Sequence, residues 1–269
     1  MNRISIGGIE VTALTDGEFT TGPDYFGTEA SFVGHEDLLG SDGKMRLPIG
    51  CFVLRGGPLG GRTILIDAGL GEMSGGAFVG GRLMGELATA GVTIESIDTV
   101  ICSHLHIDHC GWLIDQSGAP TFGQAQLWAG SGDWRRFVDE GADVMLDHVR
   151  AGLRQLAERD GVVLVDGDAT VVPGVDALAA PGHTPGHLAI VLSDKEERAL
   201  LLGDAISCPV QLDETDWGAI SDVDPALAAR TRERLWDKME HSGVPAVGAH
   251  FPELRFGRVM AGEGRRWWS

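Results

Sequence analysis

The sequence predicts an α/β fold in which two β-sheets pack together and helices flank them. Three observations carry that reading. Short apolar, β-rich runs dominate each half of the chain, and helical patterns follow them. At 269 residues, 43% of them hydrophobic, the chain is long enough to bury a substantial core. It carries no short-period repeat, low-complexity tract or evident linker, so residues 1–269 read as one domain.

Residues 3–15 read as a strand, a Gly7-Gly8 turn and a second strand. Residues 16–47 are polar and glycine-containing, with Phe19, Tyr25, Phe26 and Phe32 scattered through them. A loop of that length reads as a lid or interface segment. The runs "IGCFVLRG" and "RTILIDAG" are strands joined by the turn "GGPLGG". "GRLMGELATAG" is a short helix ending at Gly91, and "IDTVICSH" is a buried strand. Helical patterns recur near 131–138 and 143–159. The β-rich runs "VVLVD", "ATVV", "VDALAA", "HLAIVLSD" and "RALLLGD" come next. Residues 224–243 form the clearest helix: Asp224 suits the N-cap, Pro225 the first helical position, and Gly243 the stop. "VPAVGAH" is a final strand ending on His250, and the two tryptophans of the tail "GRRWWS" pack on the body or on a partner chain.

Composition narrows the function. A formal charge of −18 argues against nucleic-acid partners, which need a basic face. The N-terminus has no apolar h-region, and no apolar run approaches the ~18 residues of a membrane span, so neither a secretory signal nor a membrane segment is expected. Cys51, Cys102, Cys110 and Cys208 form no C-x-x-C pair. That suits a reduced cytoplasmic protein with packed thiols, Cys110 and Cys208 included.

The chemistry concentrates in "SHLHIDHCGW", Ser103–Trp112, which holds three of the nine histidines. His104 and His106 are two residues apart at a strand end, a spacing that aims both side chains the same way. If the chain then turns, Asp108 and His109 come round to a second point nearby. Four ligand-type groups around one cavity suit more than one metal ion, and imidazole and carboxylate are good zinc ligands. A hydrogen-bonded polar turn is the competing reading. A fortuitous H-x-H-x-D-H at this composition is on the order of one in a thousand. Further candidates stand at other loop and strand ends: His183 in "APGHTPGH", Asp204 in "LLLGDA", where a carboxylate could bridge two metals, and His250.

In this order and at these separations, "HLHIDH", "PGHTPGH", "LLGDA" and "GAHFP" resemble the metallo-β-lactamase superfamily of metal-dependent hydrolases, over nearly the whole chain. "ILIDAG" is similar to that superfamily's early strand-turn signature. The resemblance implies a four-layer αββα sandwich with its metals at one edge of the two sheets. It implies one zinc held by His104, His106 and His183, a second held by Asp108, His109 and His250, and Asp204 bridging. Iron or manganese are the other candidate metals. Asp67 and His187 become supporting residues that hold ligands or loops, whereas His35, His148 and His241 match no motif.

Two zinc ions sharing a water make hydroxide available near neutral pH, and Asp108 is the best-placed carboxylate to orient it or shuttle a proton. The segments "GDAISCPVQLDETDW" and "AHFPELRFGRV" look closest to lactonase-like and organophosphate-hydrolase-like members. That resemblance implies an N-acyl homoserine lactone, another lactone or an ester as substrate, with an aryl phosphotriester or a glutathione thioester as alternatives. Typical short homoserine lactonases carry a tyrosine shortly after the bridging aspartate. Ser207 stands near that point here, and Tyr25 is the only tyrosine in the chain. The aromatic residues of 16–47 and Trp217 are candidate linings for an apolar substrate pocket. The resemblance also suggests a homodimer. Two rivals belong to other classes: an iron-dependent sulfur dioxygenase using similar ligands, and a dinucleotide-binding protein suggested by the half-match to G-x-G-x-x-G at Gly69 to Ser74.

Overall fold

The computed structural model describes every residue except Met1, Asp143, Glu263 and Gly264. Its first sheet has nine strands: β1 (Asn2–Ile6), β2 (Ile9–Thr21), β3 (Met45–Gly56), β4 (Ile64–Ile66), β5 (Ser74–Gly75), β6 (Phe78–Val79), β7 (Thr99–Ile101), β8 (Gln126–Gly130) and β9 (Val162–Val165). Their order is β5-β6-β2-β3-β4-β7-β8-β9, with β1 paired to β2. The second sheet has five: β10 (Ala169–Val172), β11 (Val175–Ala179), β12 (Leu188–Asp194), β13 (Glu197–Leu201) and β14 (Ala246–Val247). A separate hairpin, β15 (Val259–Gly262) and β16 (Arg265–Trp268), closes the chain. The helices are α1 (Leu83–Thr89), α2 (Ile107–Cys110), α3 (Ser131–Asp133), α4 (Asp147–Ala157) and α5 (Pro225–Ser242).

Strand periodicity makes the layers. In β3, Phe52 and Leu54 face the core shared with the second sheet, and Cys51 and Val53 face the opposite layer. Ile64 and Ile66 meet Ala177, Ile190 and Leu192 of the second sheet in the shared core. On the outer side of the first sheet, α1 inserts Leu83 and Leu87, and α4 inserts Val149 and Leu153. On the outer side of the second, α5 inserts Leu235, Trp236 and Met239. The result is the helix–sheet–sheet–helix sandwich. Helix α5 is bounded as its sequence predicts: the Asp224 carboxylate accepts from Leu227 N at 2.9 Å, Pro225 opens it, and Gly243 ends it at φ 61°.

Several boundaries differ from the sequence expectation. Residues 16–47 are a loop only between 22 and 44. Strand β2 runs on to Thr21 and β3 begins at Met45, because Glu18 to Thr21 pair with Met45 to Pro48. A bulge falls between Thr15 and Gly17. It turns Asp16 inward, where the carboxylate accepts from the backbone N–H of Leu70, Gly71 and Leu83 and from the Trp112 indole. The half-match at Gly69 to Ser74 is therefore a turn anchored by Asp16, and the strand β5, not a helix, follows it. The helix expected at 131–138 is one α-turn continuing as a π-helix, Trp134–Asp139. That expected at 143–159 spans Asp147–Ala157, and its expected first residue lies outside the described residues.

"VPAVGAH" contributes only the two-residue β14 and is not the last strand. Of the tail tryptophans, Trp268 packs within the chain on Phe251 and Trp236, at centroid distances of 5.2 and 6.0 Å, while Trp267 stays 40% exposed. Arg266 anchors that hairpin to α5 through Glu233, Asp237 and Glu240. No helix among the described residues is long and apolar enough to cross a membrane.

Candidate metal centre

The site is built where strands end. Parallel strands β4 and β7 lie side by side, and the chain leaves both at the same edge. After β7, the short connection 102–106 carries His104 and His106. The single turn of α2 then brings Asp108 and His109 back towards them. His183 lies in the loop before β12, Asp204 in the turn after β13, and His250 in the turn after β14. All seven side chains predicted from sequence as ligands meet at one edge of the sandwich.

Their donor atoms fall into three overlapping groups, each within 4.8 Å: His104, His106 and His183; His104, His109 and Asp204; Asp108, His109 and His250. Asp204 lies between them. One of its oxygens, Oδ2, is 3.0 Å from His250 Nε2 and 3.6 Å from His183 Nε2, and Oδ1 is 3.5 Å from His109 Nε2. Asp108 Oδ2 is 3.5 Å from His250 Nε2. His104 Nε2, His109 Nε2 and Asp204 Oδ1 are buried without any hydrogen-bond partner. Buried polar atoms are rarely left unpaired, so a cluster of three aimed at one point fits a metal site.

Other residues fix the direction of each imidazole. Asp67, at a left-handed φ of 59°, accepts from the Ser103 N–H at 2.7 Å and lies 2.9 Å from His109 Nδ1. Its ring nitrogen Nδ1 so engaged, His109 turns Nε2 inward. Asp222 does the same for His183, 2.9 Å from its Nδ1, and also accepts from Arg232 at 3.0 Å. The Pro48 carbonyl holds His250 Nδ1 at 2.7 Å. His187 lies outside the three donor groups. Its Nε2 accepts from the backbone N–H of Asp204 and Ala205 at 3.0 and 3.1 Å, which fixes the turn bearing Asp204. Gly203, at φ 53°, must be glycine there, since a Cβ would lie 2.7 Å from His187 Nε2 and from Ser103 Cβ. Asp133 ties two ligand-bearing loops together, accepting from Leu105 N, Gly186 N and the Thr184 hydroxyl.

Asp67 and His187, expected from the resemblance to be supporting residues, lie beside the cluster, and so do Asp222 and Asp133, which sequence reasoning missed. The histidines outside the motifs sit elsewhere: His35 pairs with Glu214 at 2.8 Å, His241 contacts the Asp237 carbonyl on α5, and His148 lies on α4. Cys110 and Cys208 are buried. Burial pushes both thiols up, Cys208 to about 11, as packing residues rather than nucleophiles.

Electrostatics divides the histidines. Burial lowers His104 and holds His106 down to about 3, so both imidazoles are neutral and free to ligate. Burial opposes the charge on His109 and His250 as well, but the carboxylates of Asp204 and Asp108 outweigh it and raise both. The same pairing outweighs the burial of Asp204 and holds it well below the usual carboxylate range.

A pH prediction follows for chelator-stripped protein. The folded state holds protons on His109 and His250 more tightly than the unfolded chain does. That stabilisation is complete below the unfolded histidine value of about 6.5 and is lost as pH rises through the folded values. Asp204 acts only in the acid range. His104, His106 and His187, kept neutral by burial, oppose this only while the unfolded chain still binds protons on them, up to about pH 7.5. Above about pH 7.5 the Tm of stripped protein should therefore fall as pH is raised, and saturating zinc should flatten the dependence, because ligation displaces the protons on His109 and His250. Thermal melts with and without zinc read this directly.

A cavity of about 370 Å³ opens on the cluster. His106, Asp108, Asp204 and His250 form its polar floor, and Phe19, Phe78, Ile107, Val144 and Ile220 line its apolar walls, with Tyr25 between. Of the aromatic residues of 16–47, Phe19 and Tyr25 line this cavity. Phe26, Phe32 and Trp217 do not line it: they are buried and pack on one another behind the wall, Phe26 stacking on Trp217 at 5.3 Å. Ser207 is likewise absent from the lining and instead meets the Tyr25 hydroxyl. Phe78 comes from the glycine-rich hairpin β5–β6, where no periodic pattern marks it.

Fold and site together define the class: the chain belongs to the metallo-β-lactamase superfamily, whose family pattern matches residues 46–239, and it is a metal-dependent hydrolase. Among its relatives is the N-acyl homoserine lactonase AiiA of Bacillus thuringiensis subsp. kurstaki, 27% identical over 210 residues, 71% of this chain and 76% of that one. An N-acyl homoserine lactonase of Bacillus cereus is 26% identical over 177 residues, 59% of this chain and 63% of its own. The same fold is seen in AidC, a dizinc quorum-quenching lactonase solved with a product (TM-score 0.85, 20% identity, 100% of this chain and 96% of that one). It is seen again in the hydrolase AbOPH of the β-lactamase superfamily (TM-score 0.84, 21% identity, 99% and 95%).

Proposed function

We propose that this protein is a dinuclear zinc lactonase that hydrolyses uncharged lactones of the N-acyl homoserine type, with carboxyl esters as further substrates. The observation that carries the reading is the cavity. Its walls are apolar, and its described lining includes no lysine or arginine. An acyl lactone needs apolar walls and no counter-ion, whereas a glutathione thioester brings carboxylates that such a site leaves unpaired. Its volume lies in the range of small-molecule sites.

In this reading His104, His106 and His183 would hold one zinc and Asp108, His109 and His250 the other, with the Asp204 carboxylate beside both groups. When bound, the pair supplies Lewis acidity and a water of lowered pKa. The chain's own residues do the rest. Asp67 and Asp222 keep the His109 and His183 rings oriented. Asp108, on the cavity floor, orients the attacking water and carries its proton to the ring oxygen as the ester C–O bond breaks. The apolar walls seat the acyl chain and exclude competing water. The four buried free thiols favour a reducing, cytoplasmic setting for this enzyme.

The test is a hydrolysis panel on zinc-loaded protein: γ- and δ-lactones with and without an N-acyl chain, an aryl ester, an aryl phosphotriester, a glutathione thioester and a β-lactam. N-acyl lactones should turn over fastest. Turnover confined to the thioester and the β-lactam, or native iron accompanied by oxygen uptake, contradicts the proposal.

A further inference from the structure

Tyr25 is the only tyrosine in the chain, and the fold brings it into the lining of the cavity that also holds His106, Asp108, Asp204 and His250. It sits in the short 3-10 turn Pro23–Phe26 of the segment between β2 and β3. Its hydroxyl donates to the hydroxyl of Ser207, three residues past Asp204, at 3.3 Å. That is long for an O–H···O bond, so the phenolic proton is weakly engaged and free to turn to a better acceptor.

Everything around the hydroxyl is fixed. The Tyr25 carbonyl accepts from Ile220 N at 2.7 Å, and the ring packs against Phe19 and Phe26 at centroid distances of 5.4 and 5.0 Å. Across the wall, Ser207 N donates to Gln211 Oε1 at 2.9 Å, and the Gln211 amide donates to the Trp217 carbonyl at 3.0 Å. A donor held from both sides needs little reorganisation when charge develops beside it.

We propose that Tyr25 contacts the substrate as a hydrogen-bond donor, its hydroxyl, backed by Ser207, meeting an oxygen of the scissile ester as water adds to the carbonyl carbon. The inference rests on the hydrolase reading of the same cavity. In the addition step the water oxygen bonds to that carbon and the C=O π pair moves onto oxygen. Tyr25 stabilises that oxygen without giving up its proton. The segment between the two long strands is then part of the reacting site, not only its cover.

Tyr25→Phe keeps the ring packing and removes only the donor. In the zinc-loaded full-length enzyme it should lower kcat on the order of 10²-fold, the effect of losing one such donor, and change KM by less than about threefold. Ser207→Ala, which leaves the phenol in place, should cost less, about tenfold or under. Because Tyr25 is unique, 3-fluorotyrosine incorporation gives a single 19F resonance. Titration with N-hexanoyl homoserine should shift it saturably, at the affinity found by calorimetry for the same probe. Wild-type kcat in Tyr25→Phe, or a resonance that does not move while calorimetry shows the probe bound, overturns the role of Tyr25 and leaves the lactonase reading standing. Absence of both probe binding and turnover of every lactone and ester overturns that reading, and this inference with it.

Discussion

Asp204→Ala should reduce kcat/KM by on the order of 10³-fold or more, about 4 kcal/mol of transition-state stabilisation, and should lower the metal content of the purified protein. Its carboxylate stands within 3.6 Å of His183, His250 and His109, and so lies against both ends of the cluster. Removing it deletes the negative charge that draws His109 and His250 together. Asp204→Asn keeps the shape but not the charge and should lose nearly as much. The fold should survive in both, because His187 holds the turn through backbone N–H groups rather than through the Asp204 side chain. Kinetics and metal analysis on the same preparation check this, and activity within tenfold of wild type in either variant would count against the shared role of Asp204.

Asp222→Ala should have the largest effect on stability. Asp222 is buried between His183, Arg232 and the Ala219 N–H, and Arg232 is itself only 5% exposed. Truncation strands a buried guanidinium, at a cost of about 3–5 kcal/mol, or roughly 10 °C in Tm for a chain of this size. It also frees the ring of His183, so zinc affinity should fall by about 10–100-fold. Adding Arg232→Met should recover a substantial part of the Tm by removing the stranded charge, without restoring zinc affinity. That split, read by thermal melts and zinc titration, separates the structural half of the Asp222 role from the orienting half.

The residues of the cluster were legible in the sequence because most of them sit where apolar strands stop, and each stop carried its own local signal. "IDTVICSH", "LLLGD" and "VPAVGAH" all end on a histidine or an aspartate. The supporting residues carry no such signal. Asp222 and Asp133 are single acids in loops, and the groups they hold, His183 and Gly186, lie 39 and 53 positions away. Tyr25 and Ser207 stand 182 positions apart, so their meeting belongs to tertiary structure alone.

The lid boundaries failed for a different reason. "TDGEFTT" is too polar to announce a strand, yet pairing with β3 and β6 extends β2 through it. Neighbouring strands overrode local composition there. Phe26, Phe32 and Trp217 show the limit of reading aromatics as pocket walls. They are apolar and near the site, but their burial is spent on one another.

The central claim is that two metal ions on this cluster open an uncharged lactone. The most direct measurement is ring opening of an N-acyl homoserine lactone, followed by proton release while zinc is added stepwise to chelator-stripped protein. Activity should be absent without metal and rise until two zinc ions are bound per chain. Full activity at one zinc per chain, or none at any loading while the protein remains folded and zinc-bound, would contradict it.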